Sequence, residues 1–168
     1  MKKTFLLIFF GFIALFCLSG CGSDTLDNKV TDSNGNEKNT FSLNETAVFK
    51  DVSYTLTNVK YSNGTEFDEP ASGKRFVIVT VKIENKSEEK ISYNEYDWKM
   101  INSQGQENDV TFTTIDSDTG LESGDLAAGG TKTGTLVFEE PKSDSSLKLL
   151  YYNNSLFEDN ATITFVLK

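Results

Sequence analysis

Residues 76–83 read FVIVTVKI. Val77, Val79, Val81 and Ile83 fall on every second position, which is the period of one face of a strand. Phe76 and Ile78 load the opposite phase before it turns polar at Thr80 and Lys82. β-branched side chains are stiff at χ1 and pack well on a pleated surface. Apolar residues on both phases make it the best candidate for a central strand. Shorter alternations extend outward in both directions. Val52, Tyr54 and Leu56 alternate, and Val59 and Tyr61 resume on the shifted phase, so a bulge is expected near Thr57-Asn58. Asn63-Gly64 is a turn signal. Trp98 and Met100 mark another strand, ended by a turn at Ser103-Gln104-Gly105. Val110 and Phe112 suggest a short strand. Leu136 and Phe138 suggest the next, stopped by Pro141. Leu147, Leu149 and Tyr151, then Ile163, Phe165 and Leu167, complete the pattern. No segment holds a helical period over a dozen residues, so helices should be few. About seven or eight strands between polar turns over residues 41–168 predict an all-β fold, an antiparallel β-sandwich.

Upstream the chemistry changes. Met1-Lys2-Lys3 is a short positive start, and Phe5–Leu18 is an uncharged apolar run. At 1.5 Å per residue that run reaches roughly 21 Å, short of the ~30 Å hydrocarbon core a membrane span must cross. Residues 1–20 therefore read as a signal peptide. Its end, Leu18-Ser19-Gly20-Cys21, resembles the bacterial lipobox, whose cysteine is acylated and becomes the first mature residue. A covalent diacylglycerol on Cys21 would supply two chains, and two are what stable anchoring needs. Residues 21–40 would then be a lipidated flexible tether. The stretch Gly22–Thr40 is Ser, Asp, Asn, Gly, Thr and Lys with few aliphatics, a composition that does not order itself. As a random coil it would reach about 25 Å. The domain itself is expected over residues 41–168.

The chain carries 16 basic and 25 acidic residues, a net charge of −9. Without Lys2 and Lys3 the balance moves two units further negative, to −11. That charge opposes nucleic-acid binding, which needs a basic footprint, and electrostatic adhesion to anionic lipid. The membrane is thus a partner only through the lipid. Cys17 lies in the leader and Cys21 at the acylation site, and the chain has no histidine. This removes disulfides, thiolate clusters, Ser-His-Asp and Cys-His catalysis, and histidine-ligated metals from the domain.

Three stretches read together: Gly73-Lys74-Arg75-Phe76-Val77-Ile78-Val79 running into Val81-Lys82-Ile83-Glu84-Asn85-Lys86-Ser87; Asn102-Ser103-Gln104-Gly105; and Leu126-Ala127-Ala128-Gly129-Gly130 leading into Gly134-Thr135-Leu136-Val137-Phe138-Glu139. Over most of residues 43–168 the chain resembles a family of Gram-positive lipoproteins catalogued as domain of unknown function four-three-five-two. That family in turn resembles the mycobacterial immunoprotective extracellular antigen. The resemblance implies an immunoglobulin-like sandwich on the extracellular face of a Gram-positive cell membrane. It carries no activity and no site residues. Ala128 stands where the family has proline. The glycines and asparagines of these stretches also have a plain reading as turn residues.

Two groups of residues are candidates for chemistry. The loop Asp116–Asp125 gathers Asp116, Asp118, Glu122 and Asp125 around Gly120 and Gly124. It lacks the spacing of an EF-hand, so calcium is expected to bind weakly if at all, in the ~10⁻⁴–10⁻³ M class, and no other cofactor is expected. Tyr93 and Tyr96 flank Glu95, and Tyr151 and Tyr152 are adjacent. Neighbours on a strand face opposite sides, so one tyrosine of each pair should be exposed for recognition of a partner. The expected function is a non-catalytic binding or interaction domain on a surface lipoprotein, with a surface protein or cell-wall component as partner. The alternative is a metal-dependent or carboxylate-based extracellular enzyme.

Overall fold

A computed structural model describes residues 28–154 and 159–168. Its strands, in chain order, are β1 (Thr31–Asp32), β2 (Thr40–Phe41), β3 (Thr46–Phe49), β4 (Val52–Ser62), β5 (Lys74–Asn85), β6 (Ile91–Tyr93), β7 (Trp98–Ile101), β8 (Glu107–Asn108), β9 (Gly124–Leu126), β10 (Thr131–Pro141), β11 (Lys148–Tyr151) and β12 (Ile163–Val166). One sheet has the order β1-β3-β4-β5-β10 and the other β2-β12-β11-β7-β8, with β6 and β9 forming a separate ribbon. Among these strands of the described residues every pairing is antiparallel except β2 with β12. Among the described residues the helices are two 3-10 turns, Glu95–Asp97 and Ser117–Thr119.

The stretch 76–83 sits where its pattern requires. β5 lies between β4 and β10 and pairs with both along nearly its whole length. Val77, Val79, Val81 and Ile83 face the second sheet and are at most 1% exposed. They meet Leu136 and Phe138 of β10 across the ladder, and Trp98, Met100, Leu149, Ile163 and Phe165 across the gap. Burying each such side chain contributes roughly 1.5–3 kcal/mol. Aromatic rings fill one end of the gap. The Tyr151 ring lies 4.5 Å from Tyr54 and 4.9 Å from Trp98, and the two tyrosine hydroxyls are 3.0 Å apart. The expected bulge appears as a register shift between Leu56 and Asn58. The Thr57 hydroxyl there donates to the carbonyl of Thr80 at 3.1 Å.

Three expectations need correction. The expected tether runs to residue 40, yet residues 28–40 lie within the described residues and are packed and paired with the domain. Composition missed a local device. The Asp32 carboxylate accepts from the backbone amides of Asn34 and Asn36 and from the Asn36 side chain, closing a turn. Val30 packs on the core and Thr31–Asp32 pairs with β3. The leader, Cys21 and the rest of the tether lie outside the described residues. Second, Val110 and Phe112 form no strand; the ladder partner of β7 is Glu107–Asn108, nearer the turn. Third, β3 and the β6–β9 ribbon were not anticipated. β6 and β9 have three residues each, and β3 is apolar on both phases, so none of them shows an alternation.

Candidate functional site

Residues 109–123, between β8 and β9, form a strap along the free edge of β10. The Thr111 amide donates to the carbonyl of Val137, and the Leu121 amide to that of Thr135. Ile115 covers Phe76, Ile78 and Val137 on the outer face of the sheet, so β5 is buried on both sides over residues 76–79, while Thr80, Lys82 and Glu84 further along are half-buried. Leu121 is fully buried in the main core. Gly134 allows this, because a Cβ there would lie 2.4 Å from the Leu121 Cα. The strap is pinned from the other side by Asp68, in the loop after β4. One oxygen of its carboxylate accepts from the Thr113 hydroxyl, the Thr114 amide and the Thr114 hydroxyl at 2.6–2.8 Å. These donors, the Thr113 hydroxyl foremost, hold the carboxyl below the usual aspartate range.

Between the strap and the turn at Glu95–Asp97 lies a groove of about 300 Å³. Asn94 fixes its wall, since its side-chain oxygen accepts from the Tyr96 amide and from the Ser123 hydroxyl. Tyr96 is 61% exposed and Phe112 is wholly exposed. Glu95, Asp116 and Glu122 line the same groove. Asp116 and Glu122 sit in the left-handed region, at φ 52° and 58°. That conformation is uncommon for side chains other than Asn, Asp and His, and the buried Leu121 between them holds the backbone there. Asp116 leads into the 3-10 turn at Ser117–Thr119 without spending its side chain on a cap. Phe67, also almost fully exposed, neighbours Asp68 and so stands close to the strap.

The structure therefore divides the sequence candidates. It brings Asp116, Glu122 and Tyr96 together. Asp118 lies in the 3-10 turn and does not line the groove. Asp125 is on β9, held by the Lys90 ammonium and the Ser92 hydroxyl, which keep its carboxyl below the usual range. Among the described residues no group of three acidic side chains converges as a metal site would need. Tyr93 lies across the ribbon from Gly124, whose missing side chain makes room for its ring. Tyr151 and Tyr152 correct the expectation of one exposed ring, because both are buried. Tyr151 ends β11 facing the core, and Tyr152 follows the strand with its hydroxyl donating to Glu107 at 2.9 Å. Burial pushes the Tyr54 and Tyr152 hydroxyls up to about 12. Phe112, Phe67 and Asp68 were missed as site residues. Thr111-Phe112-Thr113 alternates like a strand, and no local signal separates that pattern from a strap.

Two other polar places remain. At the end of the sandwich near the β4–β5 loop, Glu140 points inward beneath β10 and is fully buried. Asn108 donates to it at 2.9 Å, and burial raises its carboxyl above the ordinary value. Nearby, Arg75 stacks on the Tyr61 ring at 3.9 Å and donates to the Asp144 carbonyl. At the opposite end, where the described chain begins, a cavity of about 670 Å³ is lined by Asn28, Lys29, Lys38, Lys50, Asn153 and neighbours.

No curated protein matches this chain by sequence. Its fold is similar to solved structures. The yjhA protein of Bacillus subtilis aligns with TM-score 0.54 and 21% identity, over 76% of this chain and 99% of that one. A second Bacillus subtilis protein, ycdA, assigned as a lipoprotein, gives 0.57 and 17%, over 70% of this chain and 36% of that one. MPT63, a secreted protein of Mycobacterium tuberculosis, gives 0.49 and 12%, over 73% and 83%. At these identities the likeness is one of fold. Residues 41–162 match the Domain of unknown function (DUF4352), and the chain belongs to that family.

Proposed function

We propose that this protein is a lipid-anchored extracytoplasmic binding module whose recognition face is the groove beneath the strap. The observation that carries the reading is the full exposure of Phe112 beside Tyr96 on a pinned loop. Large exposed apolar groups rimmed by polar ones mark interaction sites. Aromatic rings supply contact area at low entropic cost. An enzyme that works with two carboxylates needs a cleft around a bond to be broken. Here the carboxylates stand on the rim of an open groove beside bare rings, which favours binding.

The layout suits display from a surface. Asn28, the first described residue, lines a cavity with Lys50, just before β4. Phe67 lies in the loop beyond the other end of that strand, roughly 35 Å away at 3.3 Å per residue. A lipid on Cys21 would hold the first end near the bilayer and leave the flank and far end open to a surface protein or cell-wall component. The acidic mature chain has no footprint for nucleic acid.

The test is association of the chain starting at Gly22 with cells of the producing bacterium. The parent should bind saturably. A Tyr96→Ser/Phe112→Ser variant with an unchanged circular dichroism spectrum should lose most of that binding. Equal binding by both would contradict the reading.

A further inference from the structure

We infer that the groove receives a basic side chain, lysine or arginine, from an exposed peptide segment of a partner protein. The inference rests on the reading of the groove as the recognition face and adds the chemistry of its occupant. Glu95, Asp116 and Glu122 ring the same hollow as Tyr96 and Phe112. Ion pairs among the described residues engage Glu37, Glu45, Glu139, Glu84, Asp125 and Asp109, and none of the groove carboxylates. Lys60 shares an adjoining hollow with Asp116 but forms no ion pair with it. Among the described residues the groove carboxylates thus have no ion-pair partner.

The rings and the acids ask for the same ligand. An aromatic face attracts a cation through its quadrupole. A carboxylate makes its strongest hydrogen bonds to a charged donor, and the planar fork of arginine matches it in two contacts. A neutral sugar could stack on the rings and donate its hydroxyls to the carboxylates, but it brings no counter-charge, and bonds from a charged donor are about twice as strong. The size agrees. About 300 Å³ is the lower bound for small-molecule sites, enough for one extended side chain with its stem along the apolar wall. The site is also preorganised, because Asp68, Leu121 and Asn94 fix both sides before a ligand arrives.

The experiment is a nuclear magnetic resonance titration of the chain starting at Gly22. The probes are an unstructured peptide with arginines spaced by glycine and serine, and its twin with glutamine at each arginine. The basic peptide should shift Tyr96, Phe112 and Glu122, and the twin should not. Affinity should fall about tenfold between low and 0.5 M salt, since these charges are open to screening. It should fall about tenfold in Phe112→Ser and again in Asp116→Asn/Glu122→Gln. Phe112→Tyr should retain it. Equal binding of the twin, displacement by a neutral N-acetylglucosamine oligomer, shifts scattered over acidic residues elsewhere, or no shifts at all would each overturn the inference. The parent reading stands or falls separately. If the peptide fails while cell binding still depends on Tyr96 and Phe112, the ligand class is wrong and the recognition face is right. If cell binding is also indifferent to them, both are wrong.

Discussion

Gly134 shows how one missing side chain shapes the site. The Leu121 backbone lies where a Cβ would stand, 2.4 Å from its Cα and 2.8 Å from its nitrogen. Gly134→Ala must move the strap or the edge strand. Forced overpacking of this kind costs about 1–3 kcal/mol. A lower denaturant midpoint, together with altered resonances at Asp116 and Glu122, is the expected result; an unchanged midpoint would show that the strap yields freely. Glu140 carries a second prediction. Its position continues the inward phase of Leu136 and Phe138, so a charge is directed into the interior. Burial raises its carboxyl above the ordinary 4.5. The folded chain therefore holds this proton at a pH where the unfolded chain has released it. Stability from this group falls as pH rises from about 4.5 through the raised value. Glu140→Gln keeps the acceptor for Asn108 and removes the charge. The variant should be more stable than the parent at pH 7, and the gain should shrink as pH falls towards 4.5. A gain of equal size at both pH values would place its cause elsewhere.

At the scale of elements, what can be read depends on clear alternation of large apolar residues, which even the four-residue β7 and β12 show. β4, β5 and β10 were visible because each is long enough for a period of two to declare itself, and the bulge in β4 because it shifts that period. β3, Thr-Ala-Val-Phe, runs apolar across both phases and so shows no alternation, and the three-residue strands of the β6–β9 ribbon hold too few repeats. The Asn28–Asn39 segment was hidden because one carboxylate, that of Asp32, organises it rather than apolar content. At Phe112 the strap differs from the strand its sequence suggests, because alternation with threonine looks the same in a strand and in an extended loop. The groove was half legible. Tyr96, Asp116 and Glu122 stood out as residue types, but what unites them is the pairing of the strap with β10, a contact distant in sequence. Asp68 is the fastener that local reading could not find, since its partners Thr113 and Thr114 lie far along the chain. Asp68→Ala should speed hydrogen exchange at the Thr114 amide and lower Phe112-dependent binding while leaving β5 protected. Unchanged exchange at Thr114 would mean the strap is held by Ile115 and Leu121 alone.

For the whole molecule, the account joins an anchor at one end to a recognition face on the flank. The anchor rests on Leu18-Ser19-Gly20-Cys21. Intact mass of the membrane-extracted protein should show cleavage before Cys21 and an added diacylglyceryl group, and Cys21→Ala should accumulate as unacylated precursor. A mature chain beginning elsewhere, or free of lipid, would remove the anchor and leave a secreted binding module. The recognition face is the central claim, and it is tested most directly on the cell. The full-length protein is produced with Phe112→p-benzoylphenylalanine and irradiated in place, beside a control carrying the same group at Glu84 on the outer face of β5. The account predicts a discrete crosslinked partner from position 112 and none from position 84. Identical products from both positions, or a product from position 84 alone, would contradict it.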